Sequence, residues 1–238
     1  MFERRSYQKE LLDGDDIPFD DIRQNMKELE RVNKLLGGHA ITLKGIEYFL
    51  KYTDGLKRPI VIAELGCGGG DNLFAIHKFL RERGVAHKLI GIDIKEECLS
   101  YAISRYPDID VEWLYCDYVD AQWPDNIKPD IVFSSLFCHH FTDEELIGQL
   151  RWIMKNAMLG FFINDLHRHA VAYYSIKWLT RIFSKSYLVK NDAPISVTRG
   201  FIKEDWKFLL QRAGIIRFKI SAEWAFRYLV CVKYDQGT

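Results

Sequence analysis

The sequence predicts an α/β fold in which a doubly wound, seven-stranded, mostly parallel sheet carries helices on both faces. Two observations carry this reading. From Pro59 onward, short β-branched runs alternate with amphipathic helical stretches, and that alternation builds a parallel sheet. The runs are also nearly continuous in apolar residues, as in Ile60-Val61-Ile62-Ala63-Glu64-Leu65, which suits strands buried on both faces.

The elements follow in order. Residues 20–36 read as a helix because Ile22, Met26, Leu29, Val32 and Leu36 recur at steps of three and four on one face. Asp20 or Asp21 can cap it and Gly37-Gly38 supplies its stop. A second helix runs from about Ile41 to Tyr52 and ends at Thr53-Asp54-Gly55. Residues 1–58 thus form a helical extension expected to cap the site, and residues 59–238 form the main domain. The main domain opens with the strand Ile60–Leu65, a glycine cluster and a helix ending at Gly84. Lys88–Ile94 is the next strand and Glu96–Arg105 the next helix. Asp110–Cys116 and Asp130–Phe137 are strands three and four. Thr142 to Glu145 is a capping box opening a helix to about Lys155, and Ala157–Leu166 is strand five. Residues 167–198 interrupt the rhythm with an aromatic-rich helix over Arg168–Ser184 and a loop containing Asp192-Ala193-Pro194. A helix from Lys203 to Ala213 and two strands, Ile215–Ser221 and Arg227–Tyr234, complete the chain.

Composition narrows the function classes. The 238 residues hold 33 Lys plus Arg and 33 Asp plus Glu, so the net charge is zero, which argues against a dedicated nucleic-acid binder. The balance is uneven along the chain: residues 61–140 hold 13 acids against 7 bases, and residues 151–238 hold 15 bases against 6 acids. No stretch approaches the ~20 apolar residues of a membrane span, and the start from Met1 lacks a signal-peptide core. Five scattered cysteines without a CxxC pair read as reduced thiols, so a cytoplasmic location is expected.

The chemistry centres on Glu64-Leu65-Gly66-Cys67-Gly68-Gly69-Gly70-Asp71, between strand one and its helix. Glycines there let backbone turn sharply and approach a ligand. Asp93 ends strand two, where an acid can bind both hydroxyls of a ribose. A dinucleotide fingerprint would need glycine at position 71. Asp71 stands there instead, as the expected cap of the helix, and its carboxylate would repel a pyrophosphate. A nicotinamide-dependent reductase is therefore disfavoured. A positively charged ligand without phosphate, such as S-adenosylmethionine, fits an acidic glycine loop better.

On these residues the chain resembles the class I S-adenosylmethionine-dependent methyltransferases, over roughly Ile60 to Tyr234. The resemblance implies a Rossmann-like sheet whose last strand is antiparallel. It implies that Glu64, Gly66, Cys67, Gly68 and Gly70 wrap the methionine and ribose moieties, with Asp93 and Ile94 at the ribose. It assigns Cys116 and Asp117 to the adenine, and the end of strand four, at Ser134, to the border of the methyl-transfer centre. S-adenosylhomocysteine would be the product. Strand four ends in Ser134-Ser135-Leu136-Phe137 rather than Asn- or Asp-Pro-Pro-Tyr, which disfavours methylation of nucleic-acid bases. Asn33 to His39, Asn164 to Arg168 and Ser196 to Arg199 carry a fainter likeness to bacterial methyltransferases of polyketide or quinone pathways. The expected reaction is O-methylation of a phenolic, quinol-like or polyketide small molecule. The alternatives are a non-catalytic cofactor-binding protein and a nucleic-acid methyltransferase.

His139 and His140 follow strand four at the carboxyl end of the sheet. One of them serves as a base toward a hydroxyl nucleophile, or both pack and cap. His39, Asp165, His167, Arg168, Tyr173 and Arg199 are the candidate substrate contacts, with an ion pair between Asp165 and Arg168 or Arg199 as the other reading. Around Asp165, His167 and His169 no further carboxylate or thiol stands at ligand spacing, so no metal is expected. Cys67 and Cys138 lack a neighbouring base and also read as small packing residues. The stripe of Tyr173, Tyr174, Ile176, Trp178, Leu179, Ile182 and Phe183 suits core packing, a wall for an aromatic or lipid-like acceptor, or peripheral membrane contact beside Lys177, Arg181 and Lys185. Oligomeric state is not legible.

Overall fold

The apolar run after Pro59 forms β1 (Ile60–Leu65), and every one of its residues is buried. Six further strands join it: β2 (His87–Asp93), β3 (Val111–Tyr115), β4 (Ile131–Ser135), β5 (Gly160–Leu166), β6 (Lys219–Glu223) and β7 (Arg227–Lys233). The sheet order is β3-β2-β1-β4-β5-β7-β6. All pairs are parallel except those of β7, which runs antiparallel to both β5 and β6. The doubly wound sheet with an antiparallel last strand is as the sequence predicts. This computed structural model describes residues 2–14, 17–53 and 55–234. Met1 and Asp54, named above, lie outside the described residues.

Strand alternation divides the core into two layers, because successive side chains point to opposite faces. Val61, Ala63 and Leu65 pack with Leu146, Leu150, Trp206 and Leu210, from α5 (Asp143–Asn156) and α8 (Lys203–Arg212). Ile60 and Ile62 pack on the other face with Ile46, Phe49, Leu73 and Leu80, from α2 (Gly38–Leu50) and α3 (Asp71–Glu82). There Phe133 and Phe162 stack at 4.9 Å between ring centroids. Glu64 shares this second face by register. The chain winds outward through β2 and β3 on one side of β1 and returns to β4 and β5 on the other. The gap between β1 and β4 is therefore the switch point at which α/β sheets bind ligands.

Several local expectations need correction. The expected Asp192-Ala193-Pro194 loop lies inside a helix, α7 (Tyr187–Arg199). Proline removes one helical hydrogen bond, but the carbonyl it orphans belongs to exposed Lys190, and the Ser186 side chain caps the start at Val189. Packing of the buried Leu188, Val189 and Val197 outweighs the local turn signal. α7 packs against α6 (Ala170–Phe183) and α1 (Phe19–Leu35). Glu28 of α1 ties the three together by accepting from the Ser184 hydroxyl and from the backbone N–H groups of Lys185 and Ser186. Gly37, left-handed at φ +73°, stops α1 just past Leu35 as expected, and α2 begins at once at Gly38 rather than near Ile41. Neither Asp20 nor Asp21 caps α1, since both lie within its first turn. The first of the two terminal strands starts at Lys219, not Ile215. The Thr142–Glu145 capping box forms as expected, a device contributing about 1 kcal/mol.

Candidate functional site

A cavity of about 570 Å³ opens at the carboxyl ends of β1, β2, β4 and β5, within the range that holds a small molecule. The glycine loop and Asp93 line one end, and Glu10, His139 and His140 line the other. α1, α6 and α7 close the sides with chiefly apolar residues, among them Met26, Leu29, Ile176, Leu179 and Val189.

At the glycine end, Gly66 and Gly68 turn the backbone with φ of +64° and +49°. A Cβ on Gly66 would lie 2.1 Å from the Phe137 ring, whereas one on Gly68 meets only Met26 Sδ at 3.7 Å. The Gly68 position is thus open toward the cavity. Its N–H donates to Asp93 Oδ2 at 2.8 Å, while Lys95 N–H donates to Oδ1 at 2.9 Å. The Asp93 carboxyl is raised above its ordinary value, chiefly by burial.

Glu64 is 1% exposed. Its Oε1 accepts from the Asn72 side chain at 3.0 Å, and Asn72 in turn accepts from Thr42. Glu64 Oε2 is buried with no partner among the described residues. Burial, then the charges of Asp71 and Asp93, push this carboxyl well above its ordinary range. An unpaired acid oxygen beside a backbone cradle fits a cationic ligand group. Arg227, which the sequence reading missed, lines the same cavity. It is 3% exposed, its Nη1 has no partner among the described residues, and burial pulls its pKa down to about 10.

Asp71 does not cap α3. Its Oδ2 instead accepts from Asn33 Nδ2 at 2.9 Å and lies 2.6 Å from His39 Nε2. These contacts lock α1 and α2 onto the glycine loop. Burial would raise this carboxyl, but the His39 hydrogen bond and charge hold it below its ordinary value.

At the other end, His139 is 3% exposed, and its Nδ1 lies 2.8 Å from Asp165 Oδ1. Asp165 also accepts from the Leu166 N–H at 2.7 Å. Burial alone would raise the Asp165 carboxyl, but the His139 charge and hydrogen bond hold it low. His140 Nδ1 lies 2.8 Å from Asp13 Oδ1, and Arg199 Nη1 donates to Asp13 Oδ2 at 3.0 Å. Burial raises Glu10 to about 7. The Asp192 carboxylate positions Glu10 and Asp13 by accepting from the N–H groups of Leu11 and Leu12 at 2.8 and 2.9 Å. Arg5 anchors the same N-terminal segment on Asp143 and over the Phe201 ring.

The sequence-named residues divide accordingly. Glu64, Gly66, Cys67, Gly68, Asp93, Ile94, His139 and His140 line the cavity. Gly70 instead lies under Trp113. Cys116 and Asp117 stand outside the lining, where Asp117 caps a 3-10 turn at Val119. Ser134 points away, 3.4 Å from Cys138 Sγ, and neighbouring Ser135 lines the cavity in its place. Neither expected ion pair of Asp165 forms. Arg168 pairs with Asp205 and Arg199 with Asp13. Arg168, buried by these contacts, and Tyr173, packed edge-on against Phe2, do not line the cavity. His167 packs against Tyr228 at the end of β5. Burial raises the Cys67 and Cys138 thiols, which disqualifies them as nucleophiles.

Residues 62–156 match a family described as a methyltransferase domain. No curated protein sequence matches the chain. Among solved structures, the plantazolicin methyltransferase BpumL in complex with SAH is 17% identical, with a TM-score of 0.64 over 91% of this chain and 95% of that one. The magnesium protoporphyrin IX methyltransferase ChlM from Synechocystis PCC 6803, with bound SAH, is 14% identical, with a TM-score of 0.56 over 84% of each chain. A putative O-methyltransferase from Nostoc punctiforme PCC 73102 is 10% identical, with a TM-score of 0.59 over 88% of this chain and 60% of that one. At these identities the likeness is one of fold. Residues 62–156 thus carry the match to a methyltransferase domain, and within this strand order an acidic glycine loop stands at the switch point of the sheet.

Proposed function

We propose that the protein O-methylates a phenolic, quinol-like or polyketide small molecule. The observation that carries this reading is the continuity of one apolar chamber from the glycine loop to the His139–Asp165 pair. S-adenosylmethionine supplies a methyl group on a positively charged sulfur and leaves as S-adenosylhomocysteine. Glu64 Oε2 accepts its ammonium, Gly66 and Gly68 give it backbone contact, Asp93 holds the ribose, and Arg227 offers charge to its carboxylate. Residues 1–58 cap the site, since α1 and the Glu10–Asp13 segment form its roof.

His139 lines the chamber and is held by Asp165, its Nε2 3.6 Å from Glu10 Oε1, and it takes the proton of an acceptor hydroxyl. The larger share of acceleration comes from alignment of oxygen, methyl carbon and sulfur in the apolar chamber. An apolar chamber of about 570 Å³ favours a small acceptor over a nucleic acid. A cofactor-binding protein without catalysis would need no chamber beside His139. Two of the similar structures are methyltransferases named for plantazolicin and magnesium protoporphyrin IX, which supports a small-molecule acceptor.

No helix among the described residues is long and apolar enough to cross a membrane. Yet α6 turns Ile176 and Leu179 to the cavity while Val171, Tyr174, Trp178, Ile182 and Phe183 are each more than half exposed. Lys177, Arg181 and Lys185 flank that outward face. This charge suits an anionic membrane surface, at which a lipophilic acceptor would be met.

The test is transfer of labelled methyl from S-adenosylmethionine to a panel of phenols, quinols and polyketide-like compounds. The reading expects a methyl ether from at least one of them and a fall of ~100-fold or more in His139→Ala, within the range of general-base contributions. Transfer only to nitrogen or carbon acceptors would overturn it.

A further inference from the structure

At the chamber end opposite the glycine loop, three donors from distant parts of the chain meet. We propose that Glu10, His139 and His140 bind one divalent first-row transition cation, and that this cation activates the acceptor hydroxyl. The inference rests on the O-methylation reading for the acceptor alone, and it replaces the base role given to His139 there with that of a metal ligand.

Both imidazoles are oriented from behind. Nδ1 of His139 and Nδ1 of His140 each lie 2.8 Å from a carboxylate oxygen, on Asp165 and Asp13 respectively. A carboxylate accepts but does not donate, so each ring donates from Nδ1, and in the neutral ring the lone pair then stands at Nε2. Those Nε2 atoms face the two oxygens of Glu10, at 3.6 Å from His139 and 4.0 Å from His140. Both separations are too long for hydrogen bonds. They are close to the roughly 3.4 Å that separates two ligands held ~2.1 Å from a tetrahedral centre. The three donor atoms lie within 4.8 Å of one another. Lone pairs converging in a buried site repel unless a proton or a metal cation sits among them.

The support is built as metal sites build it. The Ser196 hydroxyl donates to Glu10 Oε1 at 2.8 Å and fixes the carboxylate. Arg199 donates to the backbone carbonyls of His139 and His140, at 2.9 and 2.5 Å, and to Asp13. Carboxylate–histidine pairs of this kind set the tautomer and ring direction at metal centres. Two neutral imidazoles and one carboxylate suit zinc or iron(II) rather than magnesium or calcium, and three protein donors leave a position open to substrate. His139 and His140 were legible as a pair, but Glu10 stands outside every motif, so the set itself was not.

With the cation bound, Nε2 of each histidine is a ligand and not a base. The acceptor oxygen occupies the open position, and its O–H bond breaks with the proton passing to water. The oxygen lone pair then forms the C–O bond as the methyl C–S bond breaks, its electron pair staying on sulfur. The products are the methyl ether, a proton and S-adenosylhomocysteine.

The test uses the full chain stripped with a chelator. Zn²⁺ alone is titrated in competition with a chromophoric chelator, and Co²⁺ alone is followed by visible absorption, with folding checked by circular dichroism. The folded protein is expected to bind one equivalent. Glu10→Gln and His140→Gln should each weaken binding at least tenfold, and Asp13→Asn by ~10- to 100-fold, as loss of a supporting carboxylate does. No stoichiometric binding by the folded protein, or binding unchanged in both Glu10→Gln and His140→Gln, overturns the site. Stripped enzyme that methylates a phenol at the full rate overturns the activating role. One-to-one binding without transfer to any hydroxyl acceptor supports the site and overturns the O-methylation reading instead.

Discussion

Glu64, buried with one oxygen unpaired among the described residues, ties the fold to the proposed ligand. Its raised carboxyl holds a proton in the ligand-free folded state at a pH where an unfolded chain has already lost it. A raised carboxyl adds stability at low pH and loses it as pH climbs through the raised value. A cationic ligand reverses that preference, because it favours the carboxylate. S-adenosylmethionine affinity should therefore rise with pH and binding should release protons, measured by calorimetry in two buffers of different ionisation enthalpy. Binding without proton release would refute the contact. Gly68→Val places a branched side chain in open cavity space at φ +49°. It should lower cofactor affinity roughly 100-fold, about 3 kcal/mol, with only the ~1–2 kcal/mol stability cost of a left-handed residue. Asp93→Ala removes the proposed ribose acceptor and the anchor of the Gly68 and Lys95 N–H groups. Calorimetry should show a loss of about 1–3 kcal/mol in binding. Glu64, Gly66, Gly68 and Asp93 were legible in the sequence because one turn and one strand end fix them locally. Ser134 was one residue out, because strand alternation sends Ser135 and not Ser134 to the cavity. Glu10, Asp13 and Arg227 were illegible because only tertiary packing brings them to the site.

At the scale of elements, α7 carries the clearest difference between sequence and structure. Asp192 and Pro194 read locally as a turn, yet Asp192 serves the helix by binding the backbone of the N-terminal segment. Asp192→Ala would leave two N–H donors without acceptors. It should destabilise the segment by about 1–3 kcal/mol, seen as faster proteolysis before Phe19 and weaker binding of any ligand that touches Glu10. Unchanged protease resistance would contradict that role. α6 was legible as amphipathic, but its two faces serve different neighbours: one lines the cavity, and the other leaves Tyr174 and Trp178 each 63% exposed. Trp178→Glu with Tyr174→Glu should abolish sedimentation with anionic phospholipid vesicles and leave cofactor binding unchanged. Equal sedimentation of variant and wild type would count against membrane contact.

For the whole molecule, the period-two strands and period-3.6 helices made the sheet and its layers readable, since burial on both faces of β1 and β4 leaves little choice of sequence. The zero net charge conceals an acidic half around the glycine loop and a basic half that includes α6. Part of that basic half is structural: Arg168 and Arg199 are buried in pairs with Asp205 and Asp13. The most direct test of the central claim is calorimetric titration of the purified protein with S-adenosylmethionine and S-adenosylhomocysteine, beside Gly68→Val. The account predicts one site per chain for both ligands, lost in a variant that remains folded. Absence of binding by the folded wild type, or equal binding by Gly68→Val, would contradict it.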